Sequence, residues 1–203
     1  MKIDFKKTIP TYSARQGHFD VVEVPPLRYI AIDGSGDPNA APEYREALEA
    51  LFPVAYAIKF SSKNDLGRDY VVMPLEALWW APNMNSFTTA RDKTRWRWTS
   101  MIMIPDWIED DMVSAAQDSV QRKGNPVGLR RIRTSTLDEG RCVQTLHVGP
   151  YDDEAEILAT MHDEFIPRTG ASMTGKHHEI YLSDARRVEP SRLRTILRQP
   201  ISS

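Results

Sequence analysis

One pattern of strand, helix, strand, strand occurs twice in this chain, and it constrains the fold more than any other feature. The first copy, within Arg28 to Phe52, begins with the apolar run YIAID and the turn GSGDPN. An amphipathic helix follows, with Tyr44, Ala47, Leu48, Leu51 and Phe52 at i, i+3, i+4, i+7 and i+8. The second copy begins with CVQTLHV from Cys142 to Val148 and turns at Gly149-Pro150. Its helix starts on the acidic residues Asp152, Asp153 and Glu154, which favour a helix N-terminus, and Ile157, Leu158, Met161 and Phe165 mark the buried stripe.

Two strands are expected after each helix. In the first half they are Tyr70 to Trp80 and Arg95 to Ile104, separated by a loop holding Pro82, Asn83, Asn85 and Ser86. In the second they are His178 to Leu182 and Leu193 to Ile201, separated by Ser183 to Ser191. A connecting helix, Glu109 to Lys123, carries Met112, Val113, Ala116 and Val120 on one side and stops at Gly124, Asn125 and Pro126. The expectation is one α+β domain over residues 1–203, with β-α-β-β halves at about 21–105 and 127–201. Helices covering one side of the strands would give a curved antiparallel sheet or open barrel, with a ligand cleft between the halves.

Charge and composition exclude several functions. With 26 basic and 28 acidic residues the net charge is -2, whereas a duplex-binding domain needs a basic surplus. The run RDKTRWRW from Arg91 to Trp98 interleaves basic and aromatic residues, but its alternation is also that of a strand with one polar face. No apolar run approaches the length that spans a bilayer, and the first residues, with Lys2, Asp4, Lys6, Lys7 and Arg15, lack the apolar core of a secretory signal. A lone cysteine, Cys142, forms no internal disulfide, which fits a reducing compartment and makes the cytoplasm the expected location. Phosphate-loop, dinucleotide and nucleophile-elbow motifs are absent, since Gly34-Ser35-Gly36 runs into Asp-Pro. His162, Asp163 and Glu164 fall on the polar side of a helix, and His177-His178 beside Glu179 lacks the spacing of zinc ligands, so no metal is expected.

Two carboxylates stand out. Glu76 is the single charge in VVMPLEALWWA. It either faces solvent on a half-exposed strand or is buried against aromatic walls, where an unpaired carboxylate costs several kcal/mol and implies a partner, a proton or a cationic ligand. Trp79 and Trp80, being adjacent, point to opposite faces. In HHEIYLS, alternation sets His177, Glu179 and Tyr181 on one face and the better core face, His178, Ile180 and Leu182, on the other. The Glu179 face is either solvent or cleft; in a cleft, a carboxylate and a phenol two residues apart serve as general base and hydrogen-bond donor, or as charged floor and aromatic wall. Four of the five tryptophans (Trp79, Trp80, Trp96 and Trp98) sit in two consecutive strands, a density suited to stacking on a flat or cationic ligand or to core packing.

Taken together, LHVGPYDDE at Leu146 to Glu154, TGKHHEIYLSDARRVEP at Thr174 to Pro190 and LRTILRQPI at Leu193 to Ile201 resemble the GyrI-like small-molecule binding family. PPLRYIAIDGSGDPN at Pro25 to Asn39 and MPLEALWW at Met73 to Trp80 resemble its stand-alone branch, and the likeness covers Val21 to Ile201. The resemblance implies a duplicated β-α-β-β fold with a central pocket and an acidic floor. Members serve as effector domains of multidrug-responsive regulators, as gyrase inhibitors, and, at this size, as hydrolases of cyclopropanoid genotoxins. Carried onto this chain, the strand carboxylate is Glu179 with Tyr181 beside it; Trp79, Trp80, Trp96 and Trp98 form the walls, and Tyr151 stands near the mouth. Glu76 is expected, from the repeat, as a second carboxylate of the same pocket. The partner implied is a small hydrophobic aromatic ligand. No cofactor, nucleic acid or membrane is implied, and a protein partner is possible without being required. In the hydrolase reading Glu179 orients or deprotonates a water, Tyr181 stabilises the developing phenolate and the indoles hold the flat substrate. A non-catalytic drug binder and a gyrase-binding module are the alternatives.

Overall fold

The computed structural model of the chain describes residues 2–81 and 93–202. An N-terminal segment supplies β1 (Lys2–Ile3), the single turn α1 (Phe5–Thr8) and then β2 (Asp20–Val24). The first copy of the repeat is β3 (Leu27–Ser35), α2 (Pro42–Asp65), the short β4 (Asp69–Tyr70), β5 (Leu75–Trp80) and β6 (Arg97–Ile104). After α3 (Asp110–Lys123) and β7 (Arg133–Leu137) comes the second copy: β8 (Gly140–Val148), α4 (Ala155–Ala159), a π-helical stretch over Thr160–Phe165 and α5 (Ile166–Arg168). It closes with β9 (Ser172–Met173), β10 (His177–Tyr181) and β11 (Arg194–Ser202). The loop expected around Pro82, Asn83, Asn85 and Ser86, like Arg91 and Asp92 of the basic-aromatic run, lies outside the described residues.

The long strands form one sheet in the order β2-β8-β11-β10-β5-β6-β3-β7, with β9 added beside β11, nine strands among the described residues. Every pairing within it is antiparallel. Its ends, β2 and β7, are not paired with each other, so the curved sheet does not close into a barrel. The β10–β5 pairing is the seam between the two halves. No helix among the described residues is long and apolar enough to cross a membrane.

Several elements differ from the sequence expectation. The helix expected around Tyr44 to Phe52 continues to Asp65 despite Pro53 in its interior. An internal proline costs about 3 kcal/mol through a lost hydrogen bond and a clash one turn back. Burial of Leu51, Val54 and Ile58, each contributing about 2 kcal/mol, outweighs it, and Pro53 itself is on an exposed position. The strand expected over Tyr70 to Trp80 is divided, because β4 pairs in parallel with β1 while β5 joins the main sheet. Gly34 belongs to β3 rather than to the turn: it faces Trp98 across the ladder, and a Cβ there would lie 2.2 Å from the indole.

Directly paired residues share a face of the sheet. Glu179 is opposite Ala77 and Leu197, whereas Ile180 is opposite Glu76 and Ile196. Glu179, Tyr181, Trp79 and Trp98 therefore face the helices, and Tyr44 of α2 packs on both indoles. His178, Glu76 and Arg198 face the other way, where the N-terminal segment covers them.

Candidate functional site

A cavity of about 1450 Å³ lies between the helices of the two copies and the middle of the sheet. Tyr44, Leu48 and Phe52 of α2 form one wall, Leu158 and His162 the other, and Trp79, Glu179 and Tyr181 the floor. The helical spacing of each wall and the period of the floor strands explain this meeting: residues i, i+4 and i+8 of α2 look down on alternate residues of β5 and β10. The volume is above the range that usually holds a drug-sized ligand.

Aromatic side chains pack on one another around the cavity. Tyr44 stacks on Trp79 with ring centroids 5.9 Å apart and meets Trp98 edge-on at 5.0 Å. Trp96 packs against Trp79 at 5.6 Å, and Tyr151 meets Tyr181 edge-on at 5.5 Å. Glu179 accepts a hydrogen bond and is flanked by an imidazole. The Tyr181 hydroxyl donates to its Oε2 at 2.6 Å, Trp79 Nε1 donates to the Tyr181 oxygen at 3.1 Å, and the buried His177 Nε2 stands 3.6 Å from its Oε1. Burial, reinforced by the Glu179 charge, pushes the Tyr181 phenol well above its usual range, so it stays protonated as a donor.

Of the residues expected at a ligand site, Glu179, Tyr181, Trp79, Trp96 and Tyr151 line this cavity. Trp98 is fully buried beneath it and supports Tyr44. Trp80 turns to the opposite face, where Lys176 Nζ sits 3.3 Å from its ring centroid. Glu76 does not join Glu179: it is one residue out of phase across the seam and points to the opposite face. Nor does it face solvent. It is fully buried, accepts from Tyr12 Oη at 2.6 Å and Tyr29 Oη at 3.1 Å, and lies 3.0 Å from His178 Nε2.

The other nitrogen of His178 meets Glu139 at 3.0 Å, and Glu139 accepts from Arg198 at 2.9 Å. Burial alone would depress the imidazolium, but the Glu139 and Glu76 carboxylates outweigh it and lift the His178 pKa to about 9. Burial would likewise raise Glu139, yet His178 and Arg198 hold it at about 2. The result is a buried row of alternating charge, Glu76–His178–Glu139–Arg198, that clamps the back of the seam and leaves the cavity to Glu179. Cys142 is buried and its thiol is pushed by burial to about 12, which makes it a poor nucleophile.

Two buried polar residues of the cavity escaped the sequence reading. Glu154, taken as a helix-start acid, is 4% exposed and lines the cavity. His162, placed on a polar helix face, is 7% exposed and lines it too. The signal that marks His162 is its position four residues after Leu158, on the same wall.

Residues 18–202 match the family described as the GyrI-like small molecule binding domain. Among solved structures, an uncharacterized conserved protein from Listeria innocua is 37% identical with a TM-score of 0.89, covering 99% of this chain and 100% of its own. A hydrolase from Listeria innocua is 36% identical with a TM-score of 0.85 over 99% of this chain and 100% of its own. A further Listeria innocua structure, also a hydrolase, is 35% identical with a TM-score of 0.87 over the full length of both chains. No curated protein matches the sequence.

Proposed function

Since the chain belongs to the GyrI-like small-molecule binding family, we propose that its cavity binds flat hydrophobic molecules and hydrolyses them, with the cyclopropane ring of cyclopropanoid DNA-alkylating compounds as the substrate group. The observation that carries the reading is the Glu179 carboxylate at the floor of an aromatic cavity. Its Oε2 is occupied by Tyr181 at 2.6 Å, which fixes the carboxylate and leaves Oε1 to meet a water. The description of full-length relatives as hydrolases supports the same direction.

In a spirocyclopropyl dienone, attack by water forms a carbon–oxygen bond as a ring carbon–carbon bond breaks, and the released pair moves to the carbonyl oxygen. Glu179 takes the water proton and releases it to solvent, and the phenolate oxygen takes a proton from solvent to complete a phenol. Trp79, Trp96 and Tyr44 hold the flat ring system and exclude bulk water. The single proton of Tyr181 is directed at Glu179, so Tyr181 acts first as the group that orients the base; donation to the substrate oxygen would require that bond to be handed over.

The reading is tested by incubating the protein with a spirocyclopropyl dienone and following the mass of the compound, with Glu179→Gln alongside. The expected result is addition of one water over many turnovers, reduced at least a hundredfold in the variant. Recovery of unchanged compound from the wild type would replace hydrolysis with binding alone.

A further inference from the structure

His162 lies on the cavity wall facing the Glu179 side of the sheet, in the stretch where the helix of the second copy widens to π geometry at Thr160–Phe165. Such local widening often accompanies functional positions. Its ring meets that of His177 edge-on at 5.9 Å, and His177 in turn stands 3.6 Å from Glu179. The Nε2 atom of His162 is buried and has no hydrogen-bond partner among the described residues. A buried polar atom without a partner carries a desolvation cost, and in a cavity wall that cost is relieved by a ligand group. Two of the donors at the floor are engaged with each other and with the carboxylate: Tyr181 points to Glu179 and Trp79 to Tyr181.

We propose that His162 is the second polar contact of the cavity, its Nε2 hydrogen-bonding the carbonyl or phenol oxygen of an uncharged aromatic ligand whose other end meets Glu179. The proposal deepens the reading of the cavity given above and rests on it. Burial, with His177 adding, drops the His162 pKa to about 3, so the ring is uncharged at neutral pH. A neutral imidazole N–H is a suitable donor to an oxygen that gains negative charge, because it stabilises that charge without transferring its own proton. During ring opening His162 keeps its proton throughout; the water proton passes to Glu179 and from there to solvent, and the phenolate takes a proton from solvent.

The test compares two rigid probes, 9-fluorenone and fluorene, which differ by one carbonyl oxygen, by calorimetric titration of the wild type, His162→Leu and His162→Gln. The wild type is expected to bind the ketone about fivefold more tightly than the hydrocarbon. Leucine should abolish that preference, and glutamine, which keeps an amide donor, should retain part of it. Equal affinities in the wild type, no binding of either probe, or an undiminished preference in His162→Leu would each overturn the assignment. Water addition to the dienone is measured on the same samples: turnover with an unchanged ketone preference in His162→Leu removes His162 alone, whereas absence of turnover by the wild type removes the hydrolase reading.

Discussion

Two histidines of this chain are held in opposite protonation states by their neighbours, and the stability of the protein should record both. His178, lifted from 6.5 to about 9, contributes stability that is fully present below pH 6.5 and is lost as pH rises through 9. His162, depressed from 6.5 to about 3, does the reverse: its contribution is present above pH 6.5 and is lost as pH falls towards 3. The urea midpoint should therefore peak near pH 6.5. Its alkaline decline, worth up to about 3 kcal/mol, should be absent in His178→Gln, although that variant is less stable overall. A wild-type midpoint unchanged between pH 6.5 and 9 would show that His178 does not carry the charge. Neither histidine advertises this in the sequence. The partner of His178 in Glu76 is 102 residues away, and such pairing leaves no periodic trace.

Elements are the scale at which the sequence is most readable. Apolar runs locate β3, β5, β8 and β11, with period 2 added in β6 and β10, because their side chains must enter a core on at least one face, and period 3.6 locates α2 and α3. The edges are less legible: β7, RTSTL, holds no apolar alternation, and β2 is half-exposed. The cavity floor is legible through the phase of β10, but the assignment of Glu76 to it depends on the register across the seam, which two strands distant in sequence do not encode locally. Likewise Gly34 reads as a turn glycine until Trp98 is seen lying across it. Gly34→Ala should destabilise the fold by about 3 kcal/mol or more in urea unfolding, since the methyl and the indole cannot share that space. By shifting Trp98 and thus Tyr44, it should also weaken binding of the fluorenone probe. An unchanged midpoint would mean the indole has room to turn aside.

Across the whole molecule, the cavity face and the charged face are closed by different parts of the chain. Helices of both copies cover the first. The second is sealed by residues preceding the family match, which begins at residue 18: Arg198 donates to the Thr11 carbonyl at 2.7 Å, Gln144 to that of Ser13 at 2.9 Å, and Tyr12 to Glu76. Tyr12→Phe removes one donor from a buried carboxylate and should cost about 2 kcal/mol in the urea midpoint. It should leave ligand affinity within twofold, because the lost bond is on the far side of the sheet. A large fall in affinity at unchanged stability would instead tie the N-terminal segment to the cavity.

The alternation of β10 also governs how this protein can change by descent. Its odd positions, His177, Glu179 and Tyr181, face the helices, the last two lining the cavity, and its even positions, His178 and Ile180, belong to the charged face and core. Substitutions sample either set one residue at a time. Loss or gain of a single codon in the turn at Gly175 and Lys176 would exchange the sets at once, sending a carboxylate towards Glu139 and an imidazole to the cavity floor. The surface loops can tolerate length variation; this turn can tolerate spelling changes only.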